Sequence, residues 1–273
     1  MNKLKFTTLK QVLFYLNTKS PINSKLTVLA WFLIRLPLRT IFGWKKSKTI
    51  LNSLENRKLI SKMQDSAIFI SRLEELSNFY EIYGEKKQEL FEVPWRKNPI
   101  IIDVGAHIGV YSIKNALKFP EGKVIAIEPE KNNYNALTLN KRLNMLQNLL
   151  PYNLALSDKS GKLKLYLDEL GSGQHSIIAK TDNFEEVKTK TMDDFIKDIK
   201  LKNIDLIKID VEGAEYKVLQ GAKGIIKKYY PTFVIELHPW NTPRIDKKIE
   251  NLLSSYGYNL VEFKGEFIIF AYK

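Results

Sequence analysis

From Pro99 onward the chain repeats one pattern, and that pattern constrains the fold more than any other feature. A short apolar run ends at a glycine or an acidic residue, and a stretch with helical spacing follows. Ile100–Ile102 leads into Gly105, Val124–Ile127 ends at Glu128 and Pro129, Leu206–Ile209 ends at Asp210, and Phe233–Ile235 ends at Glu236. Tyr152–Leu156 supplies one more run. Between the runs, Tyr111–Leu117, Asn132–Met145 and Tyr216–Ile226 carry apolar residues at a period near 3.6. Strands that alternate with helices predict right-handed crossovers and a parallel sheet covered on both faces. At the C-terminus, Leu260–Phe263 and Phe267–Tyr272 flank Lys264-Gly265. They predict a hairpin whose last strand is antiparallel. Leu163–Leu167 alternates like an edge strand.

The first part of the chain is different. Leu9, Val12, Leu13 and Leu16 are spaced as on a helix, and an aromatic, basic stretch runs from Trp31 to Trp44. Residues 67–83 read either as strand, through Ile68, Phe69 and Ile70, or as helix, through Leu73, Leu76 and Tyr80. The expectation is a mainly helical cap with a short strand pair near its end. The first twenty residues hold no apolar signal core, and Leu26–Ile34 is too short to span a bilayer. Cysteine is absent, which excludes disulfides, thiolate metal sites and thiol nucleophiles. The net charge of +13 favours acidic partners: nucleic acid, anionic lipid headgroups or phosphorylated substrates. The lysines read as running along the whole chain.

Three clusters carry the chemistry. Ile102-Asp103-Val104-Gly105-Ala106-His107-Ile108-Gly109 follows a strand and opens a helix. Glycine there permits positive φ and close approach to a ligand at the carboxyl end of the sheet. The spacing matches neither the dinucleotide fingerprint nor a P-loop. Glu128 ends the next strand, where a carboxylate can accept hydrogen bonds from two ribose hydroxyls; an exposed Glu before a turn proline is the plainer alternative. In Ile207-Lys208-Ile209-Asp210-Val211-Glu212-Gly213-Ala214-Glu215 the strand delivers Asp210 to the expected cleft. Glu212 and Glu215 also read as acids at a helix N-terminus, favoured by its dipole. Together the clusters point to an adenosine-type ligand.

These residues, with Val110-Tyr111-Ser112, Asn153-Leu154-Ala155-Leu156-Ser157-Asp158 and Val218-Leu219-Gln220-Gly221-Ala222, resemble the FkbM family of S-adenosylmethionine-dependent methyltransferases. The resemblance covers about residues 65–273 and leaves 1–64 as a separate helical N-terminal segment. It implies a Rossmann-like seven-stranded sheet, and O-methylation of a sugar, glycan or other small-molecule hydroxyl. It also implies site roles. Gly105 and Gly109 would line the methionine and ribose portion of the cofactor, with Asp103 in the same cofactor-binding set. Glu128 would hold the ribose hydroxyls, Ser157 and Asp158 would lie near the adenine, and Asp210 beside the reacting centre. His107 stands where the family usually has Asn.

A hydroxyl acceptor benefits from a general base, and histidine suits that near neutral pH. His238, just after the fifth run, is the candidate, with packing against Trp240 as the alternative; His175 lies in a glycine-rich polar loop. Asp210, Glu212, Glu236 and His238 could together take Mg²⁺. Trp240, Tyr111 and Phe184 are candidate acceptor-pocket walls. Arg35, Arg39, Lys45 and Lys46 with Trp31 and Trp44 suggest either a peripheral membrane contact through residues 1–60 or a cap packed on the catalytic domain. The expected setting is cytoplasmic, peripheral at the membrane in the first case. Competing readings are an RNA methyltransferase, though no distinct RNA-binding module is visible and no specific nucleic acid is expected, and a non-catalytic membrane-surface protein with the same fold.

Overall fold

Strands that are apolar on both faces must be covered on both faces, and the middle of the sheet obeys this rule. In the computed structural model, which describes residues 9–34, 59–62, 66–70, 96–167, 182–238, 244–263 and 268–273, a seven-stranded sheet is built on β3 (Ile100–Val104) and β9 (Leu206–Ile209). Outside β3 lie β4 (Lys123–Ile127) and β5 (Leu149–Tyr152). Outside β9 lie β10 (Thr232–Glu236), β12 (Ile268–Tyr272) and β11 (Asn259–Phe263). Ile102, Val104, Ile125, Ile127, Ile207, Ile209, Phe233 and Ile235 form the heart of its core. Pairing is parallel from β5 to β10, and β12 is antiparallel to both β10 and β11. The predicted hairpin therefore forms, but its last strand lies inside the sheet and β11 takes the edge. Its Lys264-Gly265 turn lies outside the described residues.

Three details depart from the sequence reading. The run at 152–156 is not one strand. The chain leaves the main sheet after Tyr152, and Ala155–Leu156 (β6) joins a second sheet with Gly161–Tyr166 (β7) and Phe184–Lys190 (β8), in the order β6-β8-β7. β8 reads Phe-Glu-Glu-Val-Lys-Thr-Lys, too polar to be seen as a strand from periodicity. The helical stretch 216–226 is two helices, Glu215–Gln220 and Lys223–Tyr229. The break falls at Gly221, where a Cβ would stand 2.1 Å from the Ser157 carbonyl oxygen.

The chain forms two compact units, Met1–Val93 with Leu139–Met145, and Pro94–Thr138 with Leu146–Lys273. In the first, the helix Leu9–Leu16, helical residues 22–34 and the antiparallel pair β1 (Leu59–Lys62) and β2 (Ala67–Ile70) bury Val12, Tyr15, Val28, Trp31 and Ile68. The Ser20 hydroxyl accepts from Lys62 N–H (3.0 Å). The Asn144 amide exchanges hydrogen bonds of 2.7 and 2.6 Å with the Ala67 backbone. Helix-type spacing at Leu73, Leu76 and Tyr80 lies outside the described residues. No helix among them is long and apolar enough to cross a membrane.

Candidate active site

The chain order of the sheet reverses between β3 and β9, so the loops leaving these neighbours diverge and open a crevice at their carboxyl ends. The backbones touch at its floor. Gly105 has φ +82°, and a Cβ on it would stand 1.8 Å from the Asp210 carbonyl oxygen. Only glycine permits this approach. Gly105 and Ala106 N–H both donate to Ile127 O (3.0 Å), tying the turn to the end of β4. Gly109, φ +88°, would drive a Cβ to 2.3 Å from Leu137 Cδ1. Gly105 is thus demanded by main-chain packing and Gly109 by its positive φ, and what they leave at the crevice is bare backbone.

Glu128 follows β4 and is buried rather than exposed before its proline. Its Oε2 accepts from His107 N–H (2.8 Å) and its Oε1 from Glu130 N–H (3.0 Å), and the Asn133 side chain also bonds to the carboxylate. Burial pushes its pKa up to about 7. The two N–H donors pull it down, and the nearby Glu130 charge raises it. Glu130 has a different task. It accepts from Asn132 N–H (2.9 Å) and Asn133 N–H (2.7 Å) and so caps the helix Lys131–Leu143. His107, φ +54°, occupies the left-handed region in which Asn, Asp and His are enriched. Its backbone N–H holds Glu128, so His there keeps what Asn would provide.

On β9, Lys208 is buried and pairs in register with Asp103 of β3. Its Nζ lies 3.2 Å from Asp210 Oδ2, 3.4 Å from Asp103 Oδ1 and 5.6 Å from the centre of the Tyr111 ring. Burial would lower its pKa, but the Asp210, Asp103 and Glu236 charges outweigh that and hold the ammonium above the usual lysine range. Asp103 is fully buried and also accepts from Ser112 Oγ (2.6 Å). It supports the site through Lys208.

His238, two residues beyond β10, places Nδ1 2.7 Å from Glu215 Oε1 and Nε2 3.3 Å from Glu212 Oε2 and 3.7 Å from Asp210 Oδ1. Glu215 is fully buried and also accepts from Gly213 N–H (2.9 Å), so it does more than meet a helix dipole. Burial alone would lower the imidazole pKa. The Glu215 hydrogen bond and the Glu212, Asp210 and Glu215 charges reverse this and push it up to about 9. Glu212 carries its carboxylate there at φ +52°, a conformation that costs a non-glycine residue about 1–2 kcal/mol. Asp210 is the most open of these carboxylates, its side chain 29% exposed.

Formally, Asp103, Asp210, Glu212, Glu215 and Glu236 stand against one ammonium and one imidazole, a surplus that favours a cationic ligand. Ligand atoms of Asp210, Glu236 and His238 lie within 4.8 Å of one another, close enough to share a metal ion. Ser157 and Asp158 follow β6. They bond to each other (3.0 Å), and Ser157 N–H donates to Lys190 O of the small sheet. Tyr111 is buried, while Phe184 is exposed on β8 beneath Lys164. His175 and Trp240 lie outside the described residues. Lys208 as an ionic bridge and Glu215 as the partner of His238 were the site residues that sequence reasoning missed. A lysine inside an otherwise apolar strand was the one visible signal.

Comparison with known proteins places this architecture. The crystal structure of Methyltransferase FkbM from Methylobacillus flagellatus KT has the same fold, with a TM-score of 0.50 at 17% identity over 71% of this chain; the chain spans about half (48%) of that protein. The class is that of the Rossmann-like S-adenosylmethionine-dependent methyltransferases. The family model "Methyltransferase FkbM domain" matches residues 103–260, more than half of the chain, and the chain belongs to that family. Methyltransferase sdnD of Sordaria araneosa is 28% identical, covering 77% of this chain and 92% of its own length. Hexuronic acid methyltransferase AglP of Haloferax volcanii is 26% identical over 68% of this chain and 74% of its own. The 2-O-methyltransferase NoeI of Sinorhizobium fredii is 24% identical over 49% and 61%.

Proposed function

We propose that residues 65–273 transfer a methyl group from S-adenosylmethionine to a hydroxyl oxygen of a sugar, glycan or other small molecule. The observation that carries this reading is the buried Glu215–His238 pair, set beside Asp210 at the crevice that the glycine turn and Glu128 border. The names of AglP and NoeI, a hexuronic acid methyltransferase and a 2-O-methyltransferase, support a sugar hydroxyl as acceptor.

The crevice fits the cofactor on two counts. The Glu128 carboxylate, with acceptor capacity beyond its three protein donors, can take a ribose hydroxyl, and the carboxylate surplus matches the sulfonium and ammonium charges. The backbone at Gly105 and Gly109 would border the methionine and ribose portion, and Ser157 and Asp158 are assigned to the adenine end. When bound, S-adenosylmethionine supplies a methyl carbon activated by its sulfonium, so the protein's task is alignment and removal of one proton. Glu215 accepts Nδ1–H of His238, which fixes the tautomer and turns the Nε2 lone pair toward the acceptor hydroxyl. Asp210, the most open carboxylate, orients that hydroxyl. Mg²⁺ has no step in this reading, because Lys208 already provides a cation at Asp210.

The test is methyl transfer from deuteromethyl-labelled S-adenosylmethionine to a panel of uronic acids, neutral hexoses and their amino-sugar counterparts, read by mass spectrometry. Label on a hydroxyl oxygen is expected. Label confined to nitrogen, or to no acceptor while the cofactor binds, contradicts the reading.

A further inference from the structure

The net charge is not evenly spread. Residues 1–60 hold twelve of the 43 basic side chains and one of the 30 acidic ones, a net of +11, which leaves +2 for the other 213 residues. The lysines do run along the whole chain, as expected, but beyond the first sixty residues acidic side chains balance them. What attracts an acidic partner is the N-terminal unit.

The same unit carries an unusual helix. In helical residues 22–34, Ser24, Val28 and Trp31, spaced i, i+4, i+7, are buried. A helix buried on one face normally presents polar residues on the other. Here Ile22, Leu26, Leu29 and Leu33, spaced i, i+4, i+7, i+11, make the opposite stripe. Ile22 is 72%, Leu26 59% and Leu33 61% exposed. Ile34 extends the apolar surface, and Leu13 of the helix Leu9–Leu16 is also exposed. Trp31, expected among the membrane-facing groups, is instead fully buried on the inner face. Trp44, Arg35, Arg39, Lys45 and Lys46 lie outside the described residues.

We propose that this stripe docks on an anionic lipid bilayer surface, with the helix lying in the plane of the interface. Ile22, Leu26 and Leu33 enter the boundary of the acyl chains. Lys19 and Lys25 meet the headgroups, and the net charge of the first sixty residues draws the chain to them. The thirteen described helical residues rise about 20 Å, and no helix among the described residues is long and apolar enough to cross a membrane; one face packed on the protein and the other apolar suits a helix in the plane of the interface. A nucleic acid would use the charge and leave the stripe unexplained. A protein partner would use the stripe and leave the charge unexplained. An anionic bilayer uses both. This inference goes beyond methyl transfer and is independent of it.

The test is co-sedimentation of the full chain with vesicles of phosphatidylcholine alone, or of phosphatidylcholine with one-third phosphatidylglycerol. Binding to the anionic vesicles at least tenfold tighter than to the neutral ones, and weakening with salt, is expected. Leu26→Glu with Leu33→Glu should weaken it at least tenfold. Lys19→Glu with Lys25→Glu, which leaves the apolar stripe intact, should weaken it about tenfold, with unchanged circular dichroism as the folding control. The proposal is overturned by equal binding to both vesicle types or by either double variant binding as the parent does. It is equally overturned by sedimentation velocity showing that the stripe joins two copies of the chain, or by salt-sensitive binding to single-stranded RNA without binding to vesicles.

Discussion

His238 is where the chemistry and the stability of this protein are coupled. Its pKa is pushed up to about 9 in the folded chain against about 6.5 for a free imidazole, so the folded state holds its proton more tightly. The stabilisation this gives is complete below pH 6.5 and is lost as pH rises through 9. It amounts to roughly 1–3 kcal/mol. As a base the same group must be neutral, and at pH 7 only about 1% of it is. The expected outcome is a kcat/KM that rises to near pH 9 while thermal stability falls between pH 6.5 and 9. His238→Gln should flatten the stability profile and lower kcat by about 10²-fold or more. A pH-rate profile unchanged by the substitution would remove His238 from the reaction. The sequence showed His238 at a strand end but not its partner. Glu215 lies 23 residues earlier, and only the fold closes that gap to 2.7 Å. The role of Lys208 was hidden for the same reason, since its partner Asp103 is on a neighbouring strand.

At the scale of elements, the site depends on how closely two strand ends approach. The clash awaiting a Cβ at Gly105 is with main chain, which cannot rotate away, and φ +82° adds its own strain. Gly105→Ala should therefore cost about 2–5 kcal/mol. For a protein of this size that is a fall in Tm of roughly 5–15 °C, measurable by calorimetry. A Tm within about 2 °C of the parent would show that the loops are free to separate. The elements that were legible are those whose apolar run is complete: β3, β4, β9 and β10 are mostly buried, and runs this short bounded by turn or acidic residues read as buried strands rather than helices. β8 was not legible because its partners supply the burial its own residues lack. The break at Gly221 was not legible because what fixes it is Ser157, far away in sequence.

For the whole molecule, the account rests on a division of charge. The unit that holds the sheet is close to neutral in sequence and gathers Asp103, Asp210, Glu212, Glu215 and Glu236 at one crevice. The first sixty residues carry almost no acid and so hold most of the net positive charge. The crevice is proposed to take a cationic nucleoside and the N-terminal unit an anionic surface. The central claim is the first of these, and binding tests it more directly than turnover, because it needs no knowledge of the acceptor. Calorimetric titration of the parent and of Glu128→Ala with S-adenosylhomocysteine is that measurement. Clear binding by the parent and an affinity lowered at least tenfold in the variant, with unchanged circular dichroism as the folding control, is the predicted result. Equal affinity in both proteins would contradict it.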